Sequence, residues 1–355
     1  MRVNPFIFII HSENLKSEDM ALISKLLLIL FLTFNFLPAQ VWQELNYKNE
    51  PKDLPAKSSA SHENKRQQIL RNMEKSMGKL PDRSNLPAFD IKISDSVMED
   101  RFTRYTLSFA VAVNERLPVY LYVPKQRGSI QRIPAMLVLH GTSALGKGVV
   151  DGQGPLPNRA HARELAERGY VVIAPDYPSF GDLKDHNFDT DRYESATMQA
   201  IFNHMRCVDL LQSRPDVDTE NIGVIGHSLG GHNAMFVAAF DTRLKVAVSS
   251  SGWTQFEYYN IGDEGSKKYG GRLGPWAQTR YMPLIRTKYK LDAKLIPFNF
   301  DHIITAIAPR AFFSVSPLKD ANFDVNGVKE GILLAAKAYN NLGAADMLQV
   351  RYPDA

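Results

Sequence analysis

The stretch NIGVIGHSLGGHNAMFVAAF, residues 221–240, constrains the fold of this chain more than any other. It runs from a short β-branched strand through Gly226-His227-Ser228-Leu229-Gly230 into an alanine-rich helix. A serine on so tight a turn takes a strained backbone conformation, and side chains at 226 and 230 would clash across it, so glycines flank it. The helix that starts at Leu229 aims its free N–H groups and positive end at the same spot, where an oxyanion would form. A bare G-x-S-x-G is weak; with a strand before it and a helix after it, the motif has the setting that presents a nucleophile. The plainer reading is a structural serine in a glycine-rich turn.

The rest of the pattern agrees with that setting. RYTLSFAVAV and LPVYLYVP, split by NER, read as an antiparallel hairpin. IPAMLVLHG, GYVVIAPD, NIGVIGH, LKVAVSSS, RAFFSVSP and MLQVRYP are apolar runs of strand length. Between them lie helical stretches such as NRAHARELAERG, ESATMQAIFNHMRCVDLLQSR and GVKEGILLAAKAYNNLG. Strands that alternate with helices imply an α/β fold with a mostly parallel central sheet covered on both faces. Residues 253–300 break the rhythm: they are aromatic, punctuated by glycine and without clean periodicity. A loop of that length in a compact domain is usually functional, and it is expected to rise above the sheet and help wall a site.

The N-terminal part reads differently. In MALISKLLLILFLTFNFLPAQ, Lys25 precedes an apolar run from Leu26 to Phe36, followed by Pro38, Ala39 and Gln40. That is the layout of a signal peptide at residues 20–39, with a run shorter than the ~20 residues needed to span a bilayer. Met20 is then the expected start, residues 1–19 a mis-assigned beginning, and the mature chain has no stable membrane span. Residues 40–90 are polar and read as an extension or linker with one helix in ENKRQQILRNMEKSMG, and residues 91–355 as the folded domain. Cys207 is the one cysteine, so no intrachain disulfide can form, and it reads as a buried apolar side chain. Export without disulfides suits a bacterial periplasm or surface. The 42 basic and 38 acidic residues are spread along the chain with no basic block, which argues against nucleic acid as a partner.

Two further pieces carry chemistry. LVLHGTSALGKG is a strand that ends in His140-Gly141 and enters a glycine-rich loop, where the backbone N–H of Thr142 is the expected second oxyanion donor beside that of Leu229. His140 then reads as a structural residue. In SVSPLKDANFD, Asp320 follows the next-to-last strand in the order Ser…Asp…His and would orient the base, with Asp324 as runner-up. Trp253, Tyr258 and Trp276 could form an acyl or sugar-stacking wall, or equally the small core of the excursion. No Walker loop or dinucleotide fingerprint occurs, and His161 and His186 lack metal-ligand spacing, so neither cofactor nor metal is expected.

With LVLHGTSALGKG, GYVVIAPDYPSFGD, the elbow, SSGWTQF, RYMPLI and DHIITAIAPRAFFSVSPLKDANF in hand, the chain resembles the α/β-hydrolase superfamily over roughly residues 100–355. It is most similar to the dienelactone-hydrolase-like and prolyl-oligopeptidase-like group that includes acetyl-xylan-esterase-type proteins. True dienelactone hydrolases use cysteine where this chain has Ser228, and glucuronoyl esterases read G-C-S-R-x-G where it has His227 and Leu229, which counts against both narrow assignments. The resemblance implies a serine hydrolase acting on small-molecule or carbohydrate esters. It also implies a general-base histidine just after the last strand, yet the nine histidines end at His302. His227 and His232 lie beside or beneath the serine, and His302 reads as a helix-start residue. The expectation is therefore a domain truncated at its C-terminus, with its base beyond Ala355. The rivals are a peptidase of prolyl-oligopeptidase type, which would need a large propeller domain that some 60 residues cannot supply, and a non-catalytic binding protein on a degenerate hydrolase scaffold.

Overall fold

The computed structural model describes residues 59–125 and 132–354. The expected signal peptide at residues 20–39 and the start at Met20 lie outside them. Among the described residues no helix is long and apolar enough to cross a membrane.

The centre is a sheet of nine strands: β1 (Lys92–Met98), β2 (Phe102–Ala112), β3 (Glu115–Pro124), β4 (Ile133–Leu139), β5 (Val171–Pro175), β6 (Val217–His227), β7 (Leu244–Ser250), β8 (Ala311–Val315) and β9 (Leu348–Arg351). Their spatial order is β1-β2-β3-β5-β4-β6-β7-β8-β9. From β5 to β9 all neighbours are parallel, while β1, β2 and β3 join antiparallel at one end. Helices are α1 (Ser59–Met77), α2 (His161–Glu167), α3 (Ala196–Gln212), α4 (Leu229–Phe240), α5 (Gly262–Tyr269), α6 (Leu284–Thr287), α7 (Phe300–Ile307) and α8 (Val325–Asn341). The hairpin β2–β3 and the six parallel runs fall where their apolar patterns place them. Strand β5 is buried at every position and β4 at its last five, as expected of parallel strands covered on both faces.

Two elements depart from the sequence pattern. Strand β1, KISDSVM, is polar and exposed along nearly its whole length, so no apolar alternation announces it. It forms because backbone pairing to β2 alone satisfies its N–H and C=O groups. Helix α1 belongs to the polar extension, yet it is docked. Ile69, Leu70, Met73 and Met77 are buried on one side of it. Arg66 donates to the Ala239 carbonyl at 2.7 Å, and the Ser195 hydroxyl donates to the Met77 carbonyl at 2.6 Å. The apolar stripe is interrupted by Arg66 and Ser76, which is why the segment reads as polar although it packs.

The excursion between β7 and β8 holds a core of its own. Phe256, Tyr259, Trp276 and Phe298 pack with Phe300 and Phe323, ring to ring at 5.2–5.7 Å. An isolated bridge from Tyr259 to Phe323 ties this layer to the loop after β8.

Candidate active site

Ser228 ends β6 and starts α4 with φ 55° and ψ −117°, a region that side-chain-bearing residues seldom occupy. The neighbours hold it there. The Ser228 N–H donates to the Ser250 carbonyl at the end of β7 at 2.9 Å. A Cβ on Gly226 would collide with the Gly230 backbone, and one on Gly230 with the Leu139 carbonyl. The close approach of three backbone segments therefore requires both glycines, and Ser228 stands partly exposed above the sheet.

Leu229 is the first helical residue, so its N–H has no carbonyl partner within the helix. Its side chain is buried with Tyr177, Phe180, Ala196 and Ala200, and Phe188 and Tyr281 pack against that group. The strand-end loop after β4 comes alongside: a Cβ on Gly141 would lie 3.7 Å from Ser228 Cβ and 3.3 Å from the His227 carbonyl oxygen. Thr142 follows, exposed at the mouth, with its Oγ1 3.5 Å from the Tyr281 hydroxyl. Ser228, Leu229 and Thr142 thus share one rim.

A buried ion pair under the rim escaped the sequence reading. Lys147 Nζ is 2.6 Å from Asp176 Oδ2, both essentially inaccessible to solvent, and 2.6 Å from the exposed Asp182. Asp176 also accepts the Lys147 N–H at 2.7 Å and the Asp182 N–H at 3.0 Å. It fills the space where side chains on Gly146 and Gly181 would stand, so it locks the loop after Thr142 to the loop after β5. Burial alone would lower the Lys147 ammonium, but Asp176 and Asp182 outweigh it and hold its pKa above the ordinary value. Gly-Lys-Gly and the Asp of APD were the available signals, yet nothing in their spacing pairs them.

The histidines near the serine are occupied. His140 accepts the Tyr177 N–H on Nε2 at 3.0 Å, which leaves Nδ1 to donate to the Gly141 carbonyl at 2.7 Å. His232 contacts the Gly252 carbonyl through Nδ1 at 3.2 Å, and burial pushes its pKa down to about 3. His227 meets the Ser250 hydroxyl at 3.2 Å, and burial, then Arg159 and His161, hold it at about 4. Groups so weakly basic make poor general bases near neutral pH. His302 accepts the Asn299 N–H at 3.1 Å in a capping box at the start of α7, the helix-start reading. Among the described residues no histidine hydrogen-bonds the Ser228 hydroxyl.

The two candidate carboxylates differ. Asp324 caps α8 by accepting the Asn326 N–H at 2.8 Å. Asp320, partly exposed, uses only Oδ1, which accepts the N–H groups of Asn322 and Phe323 at 2.9 and 3.0 Å. The chain leaving β9 runs beside this loop, with Ser316 N–H donating to the Arg351 carbonyl and Leu318 N–H to that of Pro353, at 2.9 and 2.8 Å.

The three aromatic candidates differ in exposure. Trp253 is 1% exposed, wedged between Phe300 and Phe312 with its Nε1–H on Ser314 Oγ at 2.9 Å. Trp276 is 5% exposed within the aromatic layer, 4.7 Å from the His232 ring. Tyr258 donates to Glu330 on α8 at 2.6 Å. Trp253 and Trp276 are each enclosed by other rings.

A sheet in this order, with a positive-φ serine at the strand-to-helix turn after β6, decides the architecture. This is an α/β-hydrolase fold. The chain overlays a Bacteroides fragilis protein described as an acetyl xylan esterase with a TM-score of 0.63, at 20% identity over 86% of this chain and 80% of that one. A glucuronoyl esterase from Solibacter usitatus overlays with a TM-score of 0.61, at 17% identity over 84% and 90% of the two chains. The family model of fungal glucuronyl esterases matches residues 187–343, in spite of the departures at His227 and Leu229. In sequence the chain is 26% identical to YtaP of Bacillus subtilis, named as a hydrolase, over 285 residues that make up 77% of this chain and 88% of the relative.

Proposed function

We propose that this protein is an exported serine hydrolase of carboxylic esters, with Ser228 as nucleophile. The observation that carries the reading is the strained Ser228 backbone, held by Ser250 and the Gly226–Gly230 contact beside a free helix N-terminus. Such strain persists only where surrounding structure over-determines it, and it clusters at sites that use it. Ser228 attacks the carbonyl, and the N–H groups of Leu229 and Thr142 stabilise the oxyanion. Asp320 orients the base through its unused oxygen. The base is a histidine set against that oxygen, and the pairing of residues 351–353 with 316–318 brings the segment after β9 beside the Asp320 loop. Carbohydrate esters are the substrate class, by similarity to acetyl xylan and glucuronoyl esterases.

The protein is expected to hydrolyse p-nitrophenyl acetate, with a turnover loss of about 10⁴ to 10⁶ in Ser228→Ala. Equal rates in the two proteins would sink the mechanism and favour a binding protein on a hydrolase scaffold.

A further inference from the structure

Thr142 is tethered at one atom. Among the described residues its backbone N–H and carbonyl make no hydrogen bond, and its side chain makes one, between Oγ1 and the Tyr281 hydroxyl at 3.5 Å. A backbone N–H that serves an oxyanion has to be left unpaired by the protein, so the peptide carrying it must be steadied through other atoms. The residues on either side are tied: the Gly141 carbonyl accepts from His140 Nδ1 at 2.7 Å, and the Ser143 carbonyl accepts the Gly146 N–H at 3.0 Å. For Thr142 itself the steadying contact is Tyr281.

Tyr281 is fixed well enough to provide it. Its N–H donates to the Gln278 carbonyl at 2.8 Å, and its carbonyl accepts the Thr197 N–H in the first turn of α3 at 3.4 Å. Its ring packs against that of Tyr177, with centroids 6.0 Å apart. Tyr177 in turn joins both ends of the arrangement. Its N–H donates to His140 Nε2 at 3.0 Å, just ahead of the loop, and its hydroxyl donates to the Arg280 carbonyl at 2.8 Å, just ahead of Tyr281. The contacts close a circuit from His140 through Thr142 and Tyr281 to Tyr177 and back to His140. Burial lifts the Tyr281 phenol above its ordinary pKa, so the hydroxyl keeps its proton through the neutral range.

We infer that Tyr281 is a positioning residue for the oxyanion hole: its hydroxyl latches Thr142 so that the Thr142 N–H stays aimed beside that of Leu229. The inference rests on the serine-hydrolase reading for the use of that N–H, and on the circuit for the latch itself. A donor aligned before the reaction begins needs no reorganisation as charge develops, which is where an oxyanion hole gains most. The Lys147–Asp176 pair secures the far end of the same loop, and Tyr281 secures its near end.

The test has one readout that needs no turnover. In the whole chain labelled with ¹⁵N-threonine, the order parameter of the Thr142 amide is expected to fall from about 0.85 towards about 0.6 in Tyr281→Phe. The Thr305 amide inside α7 should keep its value and show that the variant is folded. Thr142→Ser retains the hydroxyl and should stay ordered, whereas Thr142→Val should loosen the Leu229-side rim as Tyr281→Phe does. The double variant Tyr281→Phe, Thr142→Val should be no worse than either single change, as expected when both remove one contact. In hydrolysis of p-nitrophenyl acetate, Tyr281→Phe should lower kcat about tenfold at nearly constant KM, short of the roughly 10² to 10³ for a donor lost outright. An unmoved Thr142 order parameter, or additive losses in the double variant, overturns the latch. A kcat unchanged in Tyr281→Phe, where Ser228→Ala abolishes turnover, overturns the positioning role. If Ser228→Ala hydrolyses as fast as the parent while Thr142 still loosens without the Tyr281 hydroxyl, the latch stands and the catalytic reading falls.

Discussion

The elbow and the excursion of residues 253–300 are both rich in glycine, and both were singled out from sequence, yet they obey different rules. At the elbow the backbone itself makes the site: Gly226 and Gly230 are required by contacts between main chains, and any sequence with this strand, turn and helix must close the same way. In the excursion the side chains make the structure. An aromatic ring serves a core and a binding wall equally well, so composition cannot separate the two uses. Trp253 and Trp276 are buried, whereas the Tyr281 hydroxyl lies 3.5 Å from Thr142 Oγ1.

The sharpest way to break this contrast is to shorten the excursion's tryptophans. Trp253→Ala and Trp276→Ala are each expected to cost about 3–5 kcal/mol in urea unfolding, as for other buried aromatic rings. Trp276→Phe should be far milder, because the Trp276 Nε1–H is buried with no hydrogen-bond partner among the described residues, and phenylalanine removes that orphan. Near-normal stability in both alanine variants, with weakened substrate binding instead, would return these rings to the wall.

On the elbow's side the comparable perturbation is Asp176→Asn. It leaves the Lys147 ammonium buried with only the exposed Asp182, and losing one partner of a buried pair costs about 3–5 kcal/mol. The loop carrying Thr142 should loosen as well, which lowers kcat more than it raises KM if the Thr142 N–H acts in the transition state. The double variant Lys147→Met, Asp176→Leu should recover much of the stability, since an apolar pair of similar size replaces the ions. Recovery of stability without recovery of kcat would separate the ion pair's packing role from its positioning role.

What was legible follows from this division. Strands β4 and β5 were readable because burial on both faces writes continuous apolar runs into the sequence, and β2 and β3 because burial on one face writes an alternating one. Strand β1 was not, since a strand exposed on both faces carries no alternation. The docking of α1 was hidden by Arg66 and Ser76 within its buried stripe. Asp320 was chosen over Asp324 from chain order alone, and the difference between them is a cap: Asp324 bonds the first turn of α8, a duty visible in sequence only once that helix start is known. The Lys147–Asp176 pair joins residues 29 apart across the β4–β5 crossover, and no local pattern records such a contact.

A smaller effect comes from the buried histidines behind the elbow. Burial holds His204 and His232 at about 3, so both stay neutral in the folded chain well below their ordinary value of 6.5. Their folded pKa is depressed, so the unfolded chain takes up protons first as the pH falls. Stability should be level above about pH 6.5 and then decline towards the folded values, by about 1.4 kcal/mol per pH unit for each histidine. Urea midpoints at pH 7.5, 6 and 5 measure it, and His204→Gln should flatten the slope by one histidine's share. A slope unchanged in that variant would assign the acid sensitivity elsewhere.

The least effect is expected at Tyr258, and it is the closest test of how the excursion differs from the elbow. Its hydroxyl donates to Glu330 and its ring rests where a side chain on Gly327 would stand, so it is tied to the flank of α8. The hydrogen bond to Glu330 raises its phenol pKa, with the Glu330 charge adding to it, so the group stays protonated through the neutral range. Such exposed pairs are close to neutral in stability. Tyr258→Phe should therefore leave the unfolding midpoint and the KM for an acetylated xylo-oligosaccharide where they were. A raised KM with an unmoved midpoint would make Tyr258 a substrate contact after all, and would mean that the outer aromatic residues of the excursion, unlike the buried ones, were rightly read as a wall.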